Sequence, residues 1–215
     1  MGHLIVVAHP LEDSVTMKIA RAYRQELEAM GQGVVTHDLY RIGFDPVMGA
    51  NELEPLAEKS VPPDAVRDAQ RAVRACDVLS VFYPLWWASM PAILKGYIDR
   101  VFARGFAYEA CGGATRGLLS GRRCVLVTFS GAPISLLEER DEWQAIKRLQ
   151  DEHIFGSCGF EIREHLHFGG MEPPTPESLL AAHIDCVRDC ARRHFSQEGR
   201  AAGSSSPPAV YAGGV

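Results

Sequence analysis

Short apolar runs alternate along the chain with segments whose apolar residues recur at helical spacing. The first run, residues 4–8, is apolar at every position, which is typical of a parallel strand buried on both faces. Later runs of similar length predict further strands. The predicted strands cover residues 4–8, 34–39, 77–83, 124–128 and a stretch within 160–168.

Helical periodicity fills the segments between these runs. Ser14 can cap a helix in which Val15, Ile19 and Tyr23 keep close to helical spacing. Further helices are predicted over residues 64–75, over 91–102, within 138–155, and in a last segment with Thr175 as cap and Pro176 at the first position.

Strands that alternate with helices in this way indicate an α/β protein. Each crossover between parallel strands should be right-handed. The pattern therefore predicts a flavodoxin-like, three-layer fold with a five-stranded parallel sheet in the order 2-1-3-4-5.

Length and composition favour one folded domain. The chain has 215 residues, of which 47% are hydrophobic, enough for a single core. We expect the domain to span residues 1–196. Residues 197–215, which include Gly-Ser-Ser-Ser-Pro-Pro, are too poor in apolar side chains to pack alone and predict a flexible tail.

Charge and cysteine content exclude several classes of function. The formal charge of −5 comes from mixed signs without a basic block, which argues against binding to nucleic acid or to an anionic membrane. No apolar run approaches the roughly 18 residues that span a bilayer, and the first residues do not form a secretion signal, so we expect a cytoplasmic protein. The six cysteines never fall at CxxC spacing, which favours plain thiols.

Candidate chemistry lies in the loops that follow the strands, because ligands of open α/β sheets bind at the carboxyl ends of the strands. Residues 9–16 lead into a helix start that carries the hydroxyls of Ser14 and Thr16. Free N–H groups make such a turn either an anion site or simply a capped helix. The loop lacks the glycines of a dinucleotide fingerprint or a Walker loop.

Two further loops can border a planar ring. Trp86 and Trp87 are adjacent and lie between Pro84 and Pro91. They either fill the core or a subunit contact, or form the walls of a site for a ring such as a flavin isoalloxazine. Residues 128–133 form another loop suited to close approach of the backbone to a ligand.

The central segment resembles a known family. Residues 83–87, 90–102 and 105–108 are similar to the signature of the flavodoxin-like NAD(P)H:quinone oxidoreductases, which include modulators of drug activity and ancillary flavoproteins of potassium efflux systems. The resemblance extends from Ala8-His9-Pro10 to about Phe168. It implies an enzyme that passes a hydride from NAD(P)H through a bound flavin to a quinone-like acceptor, with FAD favoured and FMN as the alternative flavin. It also implies a homodimer with active sites at the interface.

The resemblance also implies roles for particular residues. It assigns the flavin phosphate to His9, Ser14, Val15 and Thr16. It assigns the isoalloxazine to Pro84, Leu85, Trp86 and Trp87, and its polar edge to Thr128, Phe129, Ser130 and Gly131. Trp87, Tyr108 and Phe129 would line the substrate pocket, with Tyr108 directed toward the neighbouring subunit.

The chain departs from the family pattern after the fourth strand. Family members carry a tyrosine and a histidine there that contact the flavin, and residues 134–143 contain neither. Either backbone contacts suffice, or the acceptor is an azo, nitro or biosynthetic quinone compound. A regulatory flavoprotein that binds a transporter or other partner is a further alternative. No catalytic residue is therefore assigned.

Three other side chains have open interpretations. His165 and His167 alternate on the fifth strand and so face the same side, but no third ligand is evident nearby and we expect no metal. Trp143 either covers the flavin or belongs to the core.

Overall fold

The computed structural model describes residues 1–53, 62–172 and 174–196, so the predicted tail lies outside the described residues. The strands are β1 (Gly2–Val7), β2 (Gly33–Asp38), β3 (Val78–Pro84), β4 (Tyr108–Cys111), β5 (Ala114–Gly117), β6 (Arg123–Phe129) and β7 (Glu161–Phe168). The helices are α1 (Val15–Ala29), α2 (Ala50–Leu53), α3 (Asp64–Ala75), α4 (Ala92–Val101), α5 (Ile134–Glu139), α6 (Glu142–Lys147) and α7 (Glu177–Phe195). A π-helical segment, Arg148–Gly156, continues α6.

Five parallel strands form the central sheet in the order β2-β1-β3-β6-β7. Since β6 and β7 are the predicted fourth and fifth strands, the flavodoxin-like order 2-1-3-4-5 is confirmed. β3 lies in the middle and is buried at all of its positions. Within the described ranges, no helix combines the length and apolar character needed to cross a membrane.

Helices cover both faces of the sheet, and each face has its own core. On one face, Leu79 packs with Leu94 of α4 and with Phe155 of the π-helical segment. On the other face, Phe82 packs with Ile19 of α1 and Val187 of α7. The side chains of one strand therefore alternate between two cores, which gives the three predicted layers.

Two helix predictions need correction. The last helix begins at Glu177, and Pro176 rather than Thr175 occupies the cap position. Pro176 has extended backbone angles, φ −58° and ψ 138°, so the helix cannot begin before the residue that follows it. The segment of the predicted helix within 138–155 is divided between two helices. Asp141, with a φ of 58°, lies between the end of α5 and the start of α6.

The hairpin formed by β4 and β5 was not predicted. Gly112 and Gly113, with φ of 58° and 83°, connect the two strands. Leu119 beyond β5 donates a backbone hydrogen bond of 2.9 Å to Cys158, which lies just before β7. Because β7 starts at the amino edge of the sheet, the hairpin lies at the edge opposite to the carboxyl ends of the strands.

His3 in β1 is a buried titratable group with an unusual environment. It is 2% exposed and meets Phe195 edge-on, with 4.8 Å between ring centroids. Among the described residues, neither ring nitrogen has a hydrogen-bond partner. Burial, with help from the terminal amino group and Arg123, lowers the pKa of His3 from 6.5 to about 4.

We therefore expect His3 to make the fold sensitive to acid. Below the unfolded-state pKa of 6.5 the unfolded chain binds a proton that the folded chain refuses until the pH reaches about 4. Stability is full above that window and falls as the pH decreases through it. Between neutral and acid pH, the free energy of unfolding should fall by roughly 1–3 kcal/mol less in His3→Phe than in the wild-type protein. Chemical denaturation at each pH measures both losses.

His153→Phe is the control, because His153 is exposed on the π-helical segment. It should leave the acid sensitivity of the wild-type protein unchanged. An equal loss in the wild-type and His3→Phe proteins would show that His3 does not stay neutral in the folded state.

Candidate active site

The carboxyl edge of the sheet brings three loops together. The backbone N–H of Leu85, just after β3, donates to the carbonyl of Phe129 at the end of β6 over 2.6 Å. The ring of Trp86 lies 6.3 Å from the ring of His9, which follows β1. The loops after β1, β3 and β6 therefore adjoin at the place where the strand order reverses.

The start of α1 is arranged to receive an anion. Ser14 caps the helix, and its hydroxyl accepts a hydrogen bond of 3.3 Å from the N–H of Met17. The first N–H groups of a helix, here those of Val15 and Thr16, have no partner within the helix. Thr16 is 3% exposed and Val15 is half-buried. The helix dipole adds positive potential at this point.

His9 presents a neutral donor beside this helix start. The amide of Leu11 donates to Nδ1 of His9 over 3.1 Å. Because an amide can only donate, Nδ1 is an acceptor and the ring proton is on Nε2. Burial, reinforced by Arg41, lowers the pKa of His9 despite its contact with the Leu11 carbonyl.

Arg41 is a candidate site residue that the sequence did not single out. Its guanidinium donates a hydrogen bond of 2.9 Å to the carbonyl of His9. Arg41 follows β2 in an ordinary surface loop, and only the parallel pairing of β2 with β1 brings it to the anion site.

The two tryptophans do not fill the core. Trp86 and Ser89 exchange backbone hydrogen bonds of 3.0 and 3.1 Å around a two-residue turn. Trp87 and Ala88 in this turn both have a φ of 55°, a left-handed conformation that costs energy for residues with a Cβ. Trp87 is 99% exposed and Trp86 43% exposed. A strained turn that exposes an indole is a candidate binding surface.

The loop after β6 begins later than predicted, because Thr128 and Phe129 still belong to the strand. Phe129 is 4% exposed and packs against Phe168, with 5.6 Å between the rings. Its ring therefore lies in the core on the α1 and α7 side, away from the predicted substrate pocket. Ser130 and Gly131 form the loop itself.

Thr128 joins two histidines that the sequence left without a role. Its fully buried hydroxyl lies 3.0 Å from Nε2 of His165 and 2.9 Å from Nδ1 of His167. Nε2 of His167 in turn lies 2.9 Å from the hydroxyl of Ser130. His165, Thr128, His167 and Ser130 thus form a row of hydrogen-bonded side chains. This row links the interior of the sheet to the loop after β6.

Asp151 completes this row at its inner end. Its carboxylate lies 2.7 Å from Nδ1 of His165, whose side chain is 2% exposed. Trp143 covers both imidazoles, with ring centroids 4.7 Å from His165 and 5.0 Å from His167. Burial, and then the neighbouring His165, lower the pKa of His167 to about 4. Trp143 is thus part of the core and shields the side chain of His165 from water, whereas His167 is half-buried.

Tyr108 is not brought to the other site residues within one protomer. It begins β4, in the hairpin at the amino edge of the sheet, and packs against the core on the α3 and α4 side. The loops after β1, β3 and β6 lie at the opposite edge.

A metal has one candidate location in the described part of the chain. Glu164, Cys190 and His194 place ligand atoms within 4.8 Å of one another. Both oxygens of Glu164 already accept hydrogen bonds from Arg193, at 2.9 and 2.8 Å. His165 and His167 lie on the other face of β7 and share Thr128.

The strain in the Trp87–Ala88 turn can be measured. Ala88→Gly should increase the free energy of unfolding by about 0.5–1 kcal/mol, because glycine adopts a positive φ without steric cost. The measurement is chemical denaturation. The matched control is Ala181→Gly in the exposed middle of α7, which should lower stability by about 0.5–1 kcal/mol. A loss in both variants would contradict the assigned turn.

Comparisons with known proteins agree with this architecture. A family model described as "Flavodoxin-like fold" matches residues 1–189. An uncharacterized NAD(P)H oxidoreductase of Haemophilus influenzae is 32% identical over 172 residues, which cover 80% of this chain and 85% of that protein. NAD(P)H dehydrogenase [quinone] 1 of Cavia porcellus is 29% identical over 201 residues, which cover 83% of this chain and 73% of that protein.

A solved structure has the same fold. The NAD(P)H:quinone oxidoreductase from Methanothermobacter marburgensis superposes with a TM-score of 0.78 and 26% identity, covering 90% of this chain and 96% of the other. The resemblance inferred from residues 83–108 is confirmed. The chain belongs to the flavodoxin-like family and is an oxidoreductase of the kind that its curated relatives represent.

Proposed function

We propose that this protein uses a bound flavin to transfer a hydride from NAD(P)H to a quinone or a related aromatic acceptor. The observation that supports the proposal is the carboxyl edge of the sheet, where an anion-binding helix start adjoins exposed indoles. A flavin nucleotide has a phosphate at one end and a planar ring at the other, which are the two groups that this arrangement would bind.

The residues present fit the phosphate end of such a cofactor. The N–H groups of Val15 and Thr16, the capped start at Ser14 and the Nε2–H of His9 supply donors. Arg41 adds a positive charge that the structure ties to the His9 carbonyl. FAD is favoured over FMN by the resemblance to quinone reductases.

The loop after β3 fits the ring end. Pro84 and Leu85 leave the sheet beside Phe129, and Trp86 and Trp87 extend flat apolar surfaces beyond it. Ser130 and Gly131 supply polar atoms from the adjoining loop. These segments would border the isoalloxazine and exclude water from one side of it.

A homodimer would complete the acceptor pocket. Tyr108 lies at the edge of the sheet opposite to the loops of its own protomer, so it can line a pocket only in a second copy. The exposed Trp87 offers apolar area that such an interface would cover.

The flavin would supply the redox chemistry, and the protein binds and orients the two substrates. NAD(P)H and the acceptor would occupy the same face of the flavin in turn. Such alternation is a ping-pong scheme.

The role of His9 gives a selective test. His9→Asn keeps an oxygen that can accept the Leu11 N–H but removes the Nε2–H donor. We expect the Kd for FMN and FAD to rise about tenfold, which corresponds to one lost hydrogen bond to a charged group. Riboflavin, which has no phosphate, should bind both proteins equally. Calorimetric titration measures these constants.

His153→Asn serves as the control and should bind all the flavins like the wild-type protein. Equal weakening of riboflavin and FMN binding by His9→Asn would remove His9 from the phosphate site. A wild-type protein that binds no flavin would refute the proposed function as a whole.

Steady-state kinetics test the order of reaction. With NAD(P)H and a quinone varied together, the double-reciprocal initial-rate plots should give parallel lines. Intersecting lines would mean that both substrates bind at once. Azo and nitro compounds tested in the same way identify the preferred acceptor.

A further inference from the structure

The row of polar side chains from Asp151 to Ser130 is continuous. The contacts are 2.7 Å from Asp151 to His165, 3.0 Å from His165 to Thr128, 2.9 Å from Thr128 to His167 and 2.9 Å from His167 to Ser130. The Ser130 hydroxyl also reaches the carbonyl of Ala132 over 2.7 Å. Thr128 and His167 are paired across β6 and β7, so the sheet itself fixes the row.

The row has one proton fewer than it has contacts. The two hydroxyls and the two neutral imidazoles carry one proton each, whereas five contacts need one each. With these four protons, the Ser130 hydroxyl donates to Nε2 of His167, and the Nδ1–H of His167 donates to Thr128. The Thr128 hydroxyl donates to Nε2 of His165, and the Nδ1–H of His165 donates to Asp151. The contact of 2.7 Å between Ser130 and the Ala132 carbonyl then lacks a proton, and that carbonyl keeps only its backbone hydrogen bond of 3.1 Å from Gly170.

One added proton satisfies every contact and reverses the row. If both nitrogens of His165 carry a proton, the Nδ1–H donates to Asp151 and the Nε2–H donates to Thr128. The Thr128 hydroxyl then donates to Nδ1 of His167. His167 then donates from Nε2 to Ser130, which donates to Ala132. His167 stays neutral in both states and only exchanges the nitrogen that carries its proton. The longer contact of 3.3 Å from Thr128 to the Leu166 carbonyl is used in neither state.

We propose that these residues store one proton on His165 and deliver it at the hydroxyl of Ser130. The proposal rests on the proposed function, because reduction of a quinone by NAD(P)H consumes one proton. The nicotinamide C–H bond would break with its electron pair, which a bound flavin would pass to the acceptor. The hydride supplies one of the two hydrogens that the quinol gains, and the store supplies the other as a proton.

Delivery needs only short transfers. Ser130 gives its proton to the reactant and takes one from Nε2 of His167. His167 takes one at Nδ1 from Thr128, which takes one from Nε2 of His165. The hydrogen bonds of the row then have the orientation of the unloaded state. The reverse sequence reloads the row with a proton from water at the loop after β6, which is exposed at Gly131.

Charged groups around the row favour a reversible store. Asp151 borders a cleft of about 290 Å³ that Lys147, Arg148 and Glu152 also line. The carboxylate of Asp151 favours the loaded state, and the two cations oppose it. At the other end, the side chain of Glu172 adjoins Gly131.

Two further titratable groups face Asp151 from the sheet. Burial, and then Asp151, raise the pKa values of Tyr83 in β3 and Cys124 in β6 well above their usual range. Both groups are therefore neutral near pH 7 and do not compete for the proton. Burial, and then His165, lower the pKa of His167, so His167 does not hold the added proton. The contact of 2.7 Å between Nδ1 of His165 and the carboxylate of Asp151 is the place in the row that suits it.

Nitrogen NMR of histidine-labelled protein tests the store directly. As the pH falls from about 8 to about 5, His167 should remain neutral while its proton moves from Nδ1 to Nε2. Thr128→Val has the same shape but no hydroxyl, so the shift at His167 should disappear. Thr128→Ser restores the hydroxyl and should restore the shift. His153→Gln is the control and should leave it unchanged.

Turnover supplies a second measurement. Thr128→Val should reduce the rate of quinone reduction about 100-fold, the lower end of what a positioned proton donor contributes, and Thr128→Ser should recover most of it. An unchanged His167 tautomer in an active, flavin-bound protein would overturn the store alone. A wild-type protein without flavin-dependent turnover would instead overturn the proposed function. If Thr128→Val does not fold, Asp151→Asn should abolish the same tautomer shift.

Discussion

Burial of the central strands on both faces is the constraint on which the rest of this structure depends. β3 is buried at all of its positions, and β6 at all but its first. A strand in that position can carry polar side chains only at its ends or where a neighbour completes their hydrogen bonds. Ser80 meets Tyr23 over 3.2 Å, and Thr128 meets the two histidines of β7. The candidate site therefore forms in the loops at the carboxyl ends of these strands.

The same constraint explains why the sheet was predictable and the hairpin was not. An apolar run such as Leu4–Ile5–Val6 has few alternatives to a buried strand, and the right-handed crossover rule then limits the possible strand orders to a few. The segments Tyr108–Cys111 and Ala114–Gly117 have no such run. The hairpin is attached to the sheet by a tertiary contact, the hydrogen bond from Leu119 to Cys158.

The candidate site divides in a similar way. The topology predicted that the site would form from the loops after β1, β3 and β6. The rare pair Trp86 and Trp87 drew attention to the second of these loops. The exposure of Trp87 did not, because only the backbone of the turn directs that side chain outward. Asp151 was missed because its approach to His165 depends on the π-helical segment, which has no sequence pattern of its own. The alternation of His165 and His167 was the available signal.

Trp143 connects the packing of the fold to the chemistry proposed for the loop. It lies with Leu137 and Ile146 in a small core cluster and covers both imidazoles. Removing water from hydrogen bonds strengthens them and also makes an unpaired polar group costly. Water cannot replace a missing partner at Thr128 or at the side chain of His165, because both are enclosed. A change in the hydrogen bonds at one end of the row therefore changes the hydrogen bonds of these two residues as well. A packed indole thereby makes separate hydroxyls and imidazoles behave as one group.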